Sequence, residues 1–187
     1  MNEEIDRKII HQKIRNFCNE RTNYIVTTRF NNKTFQENTD YRRNNVKYKC
    51  IYCAPEPITQ KIPYDSVLFV IEMNNELNKT MGIGLVRNHP RVNKFSIYEN
   101  KSYCRYTYVG STRIDRNDME KDEEEIMELL DLLCFKGNKH MKRGQGIRSF
   151  PVEILFELQR EDSIDMHKMI SEMFKTRFKK IKDLQKE

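Results

Sequence analysis

Tryptophan is absent from this 187-residue chain, and only six glycines and five prolines are spread along it. No stretch approaches the ~18 consecutive apolar residues of a membrane span. The opening residues, MNEEIDRKII, lack the apolar core of a signal peptide. The expectation is a soluble, intracellular protein with no membrane partner. Cysteine is sparse and odd in number, five in all without a regular framework, which fits a reducing compartment better than a disulfide scaffold. The GK[ST] ending of a P-loop is missing, so nucleotide hydrolysis is not indicated. No helix-turn-helix or zinc-finger recognition unit is present, and neither are internal repeats or low-complexity linkers.

What the chain has in quantity is charge. Charged residues make up 33% against 37% apolar, which predicts a small core and a heavily solvated surface. Thirty-four Lys and Arg against 28 Asp and Glu leave a net charge of +6, favouring polyanionic partners. The excess is segregated: 21–49, 79–116 and 136–148 are basic, whereas Glu120 to Glu128 is an acidic block.

Apolar residues recur in periodic blocks, so the chain is expected to fold as one domain over 1–187. Ile5, Ile9, Ile10, Ile14 and Phe17 have helical spacing and predict an amphipathic helix over about 3–18. Residues 19–63 read as a basic loop region with one short strand near Tyr24 to Thr28, because three prolines between Cys53 and Tyr64 argue against a long helix. Residues 64–160 form the expected sheet and helix core. There SVLFVIEM (Ser66–Met73) is a run of buried-strand length, and a polar turn leads to TMGIGLV, which predicts a hairpin. KFSIY and YCRYTYV predict a second hairpin. An acidic first turn followed by Ile126, Leu129, Leu130 and Leu133, closed by Gly137, predicts a helix. Ser149 is the expected cap of a further helix with Pro151 in its first turn, and 163–182 reads as a C-terminal amphipathic helix.

Four groups of residues have the composition of a site. In KGNKHMKRGQGIR, Lys139, His140, Lys142, Arg143 and Arg148 supply charge, while Gly144 and Gly146 allow backbone N–H groups to face a phosphate; a solvated connector is the plain alternative. Gly82 and Gly84 share one face of a strand. They make either a flat floor for a planar base or a place of close packing. Tyr103, Tyr106 and Tyr108 with Arg87, Arg91 and Arg105 have the makings of stacking and cation–π contacts to an unpaired base, though strand tyrosines also serve cores. Cys50 and Cys53 form a C-x-x-C whose second pair is absent, so a structural zinc would need His89, Cys104, Cys134 or His140 to complete it. Apart from that possible zinc, no cofactor is expected.

The LFVIEMNN and TMGIGLVRN segments resemble the β-ribbon of PUA-like small barrels, the group that includes ASCH, EVE and YTH domains. This resemblance implies recognition of single-stranded RNA or modified bases. The chain departs from the YTH pattern in lacking the tryptophans of its aromatic cage. GIGLVRN, RIDR and HMKRGQGIRSFP together resemble an uncharacterised family of proteins from large nucleocytoplasmic DNA viruses. That resemblance implies the host cytoplasm or a virus factory as the location, and it brings no activity. SIYENKSYCRYTYVGSTR is similar to the hairpin of GIY-YIG nucleases, with Ser96 in place of the first glycine. It implies Tyr98 and Tyr108 as catalytic tyrosines, Arg113 or Arg116 as the arginine, and Glu120 or Glu123 as the metal-binding glutamate.

The resulting expectation is an α+β fold, a mainly antiparallel sheet or small PUA-like barrel covered by three or four helices. The expected function is binding of RNA or single-stranded nucleic acid through the basic glycine loop and the tyrosine-rich sheet, without catalysis. A GIY-YIG-like metal-dependent nuclease and a viral structural or interaction protein are the alternatives. Oligomeric state is not legible.

Overall fold

The computed structural model describes residues 2–138 and 140–184, the side chains of 2–6 and 180–184 excepted. Helix α1 (Asn2–Asn19) leads into strand β1 (Asn23–Phe30), helix α2 (Asn32–Asn44) and strand β2 (Cys50–Ala54). Strands β3 (Val67–Asn74), β4 (Lys79–Arg87), β5 (Arg91–Val92), β6 (Tyr106–Gly110) and β7 (Thr112–Asp115) follow. Helix α3 (Lys121–Phe135), strand β8 (Arg148–Ser149), α4 (Val152–Glu161) and α5 (Met166–Leu184) complete the order. The fold is α+β, with five α-helices among the described residues.

Two open sheets replace the barrel alternative. One has the order β7-β4-β3-β1-β8, the other β2-β6-β5. Every pairing is antiparallel except β1 with β3, which run parallel from Asn23 beside Val67 to Phe30 beside Asn74. A parallel pair requires a long crossover, supplied here by α2 and β2 together.

The apolar run in β3 has a physical reason. Phe69, Ile71 and Met73 enter a core with Met127, Leu130, Ile170 and Phe174 of the helices, while Leu68 and Val70 enter a second core with Ile51, Tyr52 and Tyr108 of the smaller sheet. A strand buried on both faces has no polar alternation. The expected hairpin is β3–β4, and the Asn74 side chain accepts the N–H groups of Glu76 and Leu77 to shape its turn.

The region 19–63 is not a loop. Helix α2 opens on a capping box: Asn31 Oδ1 accepts the Thr34 N–H at 2.7 Å, and Thr34 Oγ1 accepts the Asn31 N–H at 3.0 Å. Its buried face is carried largely by the polar Asn38, 1% exposed, so apolar periodicity does not reveal it. Strand β2 is wholly buried, and the prolines begin only after it, at Pro55.

The second expected hairpin does not form. Residues 94–98 are a loop, Lys101–Cys104 is a 3-10 turn, and β6 pairs with β2 and with the two-residue β5. Ser149 pairs with Val26 in β8, and the N-cap of α4 is Pro151. The C-terminal helix starts at Met166, three residues later than expected, after Ser163 takes a φ of 59°.

Candidate nucleic-acid interface

The glycine face of β4 is filled by protein. A Cβ on Gly84 would overlap the Tyr52 hydroxyl and lie 2.8 Å from Tyr52 Cζ and 2.9 Å from Cys50 Cβ; on Gly82 it would lie 2.7 Å from the Ile114 carbonyl oxygen. The glycines therefore admit the second sheet and β7, and they leave no floor for a base. Behind them sits a buried polar group. Tyr52 donates to Glu72 Oε1 at 2.6 Å, and Arg113 donates to both Glu72 oxygens at 2.8 and 2.6 Å and to Asp115 at 2.6 Å. Burial alone would raise the pKa of Glu72, but the Arg113 guanidinium outweighs it and holds the carboxyl below its ordinary value.

The residues of the nuclease resemblance fall into separate hydrogen-bonded groups. Tyr98 is buried with its hydroxyl accepting from Asn38 Nδ2 at 3.3 Å, whereas the buried Tyr108 hydroxyl accepts the Ile58 N–H at 3.0 Å. Arg113 is committed to Glu72, and Arg116 is bound by Glu124 and Asp131. Glu120 caps α3, where its N–H is taken by Glu123, which also binds Arg177.

The cysteines of the C-x-x-C diverge. They stand three residues apart on β2, so their side chains point to opposite faces. Cys50 Sγ contacts the carbonyls of Leu85 at 3.6 Å and Thr112 at 3.4 Å, while Cys53 Sγ lies 3.3 Å from Thr107 Oγ1. Burial and then Glu72 push the Cys50 thiol up to about 12. His89 packs on Tyr64, and Cys134 is buried with its pKa pushed up to about 12 by burial. Among the described residues no group of three or more His, Cys, Asp or Glu side chains is placed to hold a metal ion.

The glycine loop does reach a cavity. At the carboxyl end of β1 the chain turns through Asn31 into the first turn of α2, and beside it opens a space of about 550 Å³. Thr28, Phe30, Asn31 and Lys33 line one side; Tyr98, Asn100 and Tyr103 line another; Gly144, Gln145 and Gly146 close over it. Gly144 has a φ of 106°, a conformation that L side chains rarely adopt, and Gly146 has 66°. Two anchors hold this loop: the Lys142 carbonyl accepts Asn75 Nδ2 at 3.0 Å, and Arg148 Nε donates to the Gln145 carbonyl at 3.1 Å.

Two features of the cavity wall suit a polar ligand. Thr28 is only 4% exposed, lines the cavity, and lies on the inter-sheet face of β1 with Val26 and Phe30, so its hydroxyl is the polar group of that face. In the first turn of α2 the Asn32 N–H is taken by Glu76 Oε2 at 3.1 Å and the Thr34 N–H by Asn31 Oδ1, which leaves, among the described residues, the Lys33 N–H as the first-turn donor open to an anion. Lys33 pairs with Glu99 at the rim, and Arg29 and Glu37 also line the cavity, so its wall carries two cations and two carboxylates.

The sequence-derived binding residues divide accordingly. Gly144 and Gly146 line the cavity, and Arg148 braces the loop. Arg143 is exposed and, among the described residues, has no partner, Lys142 bonds Asn78 at 2.7 Å, and His140 has a buried Nδ1 without a partner. Lys139 lies outside the described residues. Arg87 is elsewhere, paired with Asp65 at 3.5 Å, and Arg105 stands over Tyr106 with 5.5 Å to the ring centroid, away from the cavity lining. Thr28, Asn31, Lys33 and Tyr103 complete the site. The only sequence signal for the first three is the Asn31-x-x-Thr34 capping pattern, which marks a helix start and hence an anion-binding end. No protein-family model matches the chain, and neither does any curated protein or solved structure.

Proposed function

We propose that the protein binds single-stranded nucleic acid, RNA in particular, and takes one nucleotide unit into the cavity beside α2. The observation that carries this reading is the convergence of the Gly144–Gly146 loop, the amino end of α2 and the tyrosines at 98 and 103 on one cavity. Glycine-shaped backbone and a helix start suit a phosphate, and aromatic walls suit an unstacked base. The Thr28 hydroxyl offers a donor and an acceptor to the edge of such a base. A duplex cannot present a base in a recess without losing its pairing, so the single strand is the favoured form. The net charge of +6 supplies the long-range attraction.

The test is a fluorescence anisotropy titration with an RNA of about twelve nucleotides at about 0.1 M salt. The double variant Arg143→Glu/Gln145→Ala is expected to bind about tenfold more weakly, with a shallower salt dependence. Thr28→Val, nearly isosteric, is expected to change the preference among homopolymers with little change in melting temperature. Affinity unchanged by all three substitutions would remove the cavity from the site.

A further inference from the structure

A second surface of the molecule carries aromatic rings and cations in contact. Arg91, on edge strand β5, lies with its guanidinium carbon 6.0 Å from the ring centroid of Tyr48 and 5.9 Å from that of Phe95. Those two rings meet edge to face at 5.6 Å, and Lys47 Nζ stands 5.0 Å from the centroid of Tyr48. Just before β6 the Arg105 carbonyl accepts the Asn93 N–H at 2.9 Å, and the Arg105 guanidinium covers Tyr106.

Arg21, Arg113, Arg116 and Arg177 are each held by a carboxylate. Among the described residues, Lys47, Arg91, Lys94 and Arg105 are exposed and belong to no ion pair. Among the described residues the one hydrogen bond of the Arg91 guanidinium goes from Nη1 to the Tyr48 hydroxyl at 3.4 Å, so its other donors have no acceptor there. An arginine fixed over aromatic faces with its remaining donors free is pre-organised for a phosphate. Val46, next to Lys47 in the chain and 72% exposed, adds apolar surface. Mixed cationic, aromatic and apolar surface suits a strand with both phosphates and bases better than it suits a purely acidic peptide.

This surface adjoins the cavity. Phe95 is three residues from Tyr98, so at most about 11 Å of chain separates the two.

We infer that the Lys47–Tyr48–Arg91–Phe95 surface is a second docking site, which holds the flank of the same single strand whose one nucleotide enters the cavity. The inference rests on the cavity reading for the identity of the ligand class, and on its own residues for its location. A single strand spanning both sites would bind in proportion to its length, as open single-strand tracks do.

Anisotropy titrations with RNAs of about four and about twelve nucleotides separate the possibilities. The wild type is expected to bind the longer RNA at least about tenfold more tightly. Lys47→Glu/Arg91→Glu is expected to bind both lengths equally and to lose about 1.4 from the logarithmic salt slope, two phosphates at about 0.7 each. The neutral pair Lys47→Gln/Arg91→Gln, which keeps the aliphatic stems, is expected to act in the same direction and guards against a folding defect. A longer-RNA affinity and slope unchanged in both variants would overturn the second site while leaving the cavity reading intact. Conversely, a strip variant that loses length dependence while Arg143→Glu/Gln145→Ala changes nothing would sink the cavity reading and keep the strip. Polyglutamate that competes as well as the longer RNA, or a wild type that binds neither RNA, would overturn the assignment to nucleic acid.

Discussion

Arg113 presents two guanidinium nitrogens to the two carboxylate oxygens of Glu72, and both side chains are nearly sealed from solvent, 6% and 1% exposed. This pair ties β7 to β3 across β4, at the level where Gly82 makes room for the guanidinium. It is a clamp between strands, and a phosphate would have to displace a buried carboxylate to reach Arg113.

Arg113→Met should leave that carboxylate buried without its cation. The expected loss is about 3–5 kcal/mol of unfolding free energy, read from urea denaturation followed by circular dichroism. A loss under about 1 kcal/mol would mean that Glu72 finds water or another partner and that the clamp is not needed.

Gly84→Ala is expected to destabilise by about 1–3 kcal/mol or more, because its methyl group meets the Tyr52 side chain. The first atom it meets is the Tyr52 hydroxyl, so the same substitution should cost less in a Tyr52→Phe background. Additive effects in this cycle would show that the sheets separate at Gly84 instead of holding their spacing.

Acid sensitivity should appear at His167. Burial, followed by Arg21, lowers its pKa to about 4 from 6.5, and it packs edge to face on Phe17. Between those values the unfolded chain binds a proton that the folded chain refuses, so stability is fully present above about pH 6.5 and falls as pH drops toward about 4. The total is on the order of 3 kcal/mol. Urea unfolding at about pH 7, 5.5 and 4.5 should show this slope, and His167→Gln should flatten it; an equal slope in the variant would place the acid sensitivity elsewhere.

How far the sequence revealed these features follows from which residues carry each pattern. The β3–β4 hairpin and α3 are written in apolar side chains, and both are where periodicity places them. Helix α2 buries Asn38, which donates to the Ile51 carbonyl at 2.6 Å, so its inward face looks polar in sequence. The strand expected over 94–98 fails for the opposite reason: Ile97 and Tyr98 are buried as strand residues would be, but they plug a core from a loop. Of the site, the glycine loop could be read from composition. The cavity beneath it could not, because the β1–α2 junction that carries Thr28 and Lys33 meets Tyr103 and the glycine loop, distant in sequence, only through tertiary packing.

The most direct measurement is the affinity of the full chain for a labelled single-stranded RNA of about twelve nucleotides and for the matching duplex, at about 50 and 200 mM salt. Single-strand affinity should exceed duplex affinity, and its logarithm should fall linearly with the logarithm of salt concentration, with a slope near −0.7 for each phosphate contacted. Equal or tighter binding of the duplex, or no binding of the single strand at the lower salt, would contradict the proposed function.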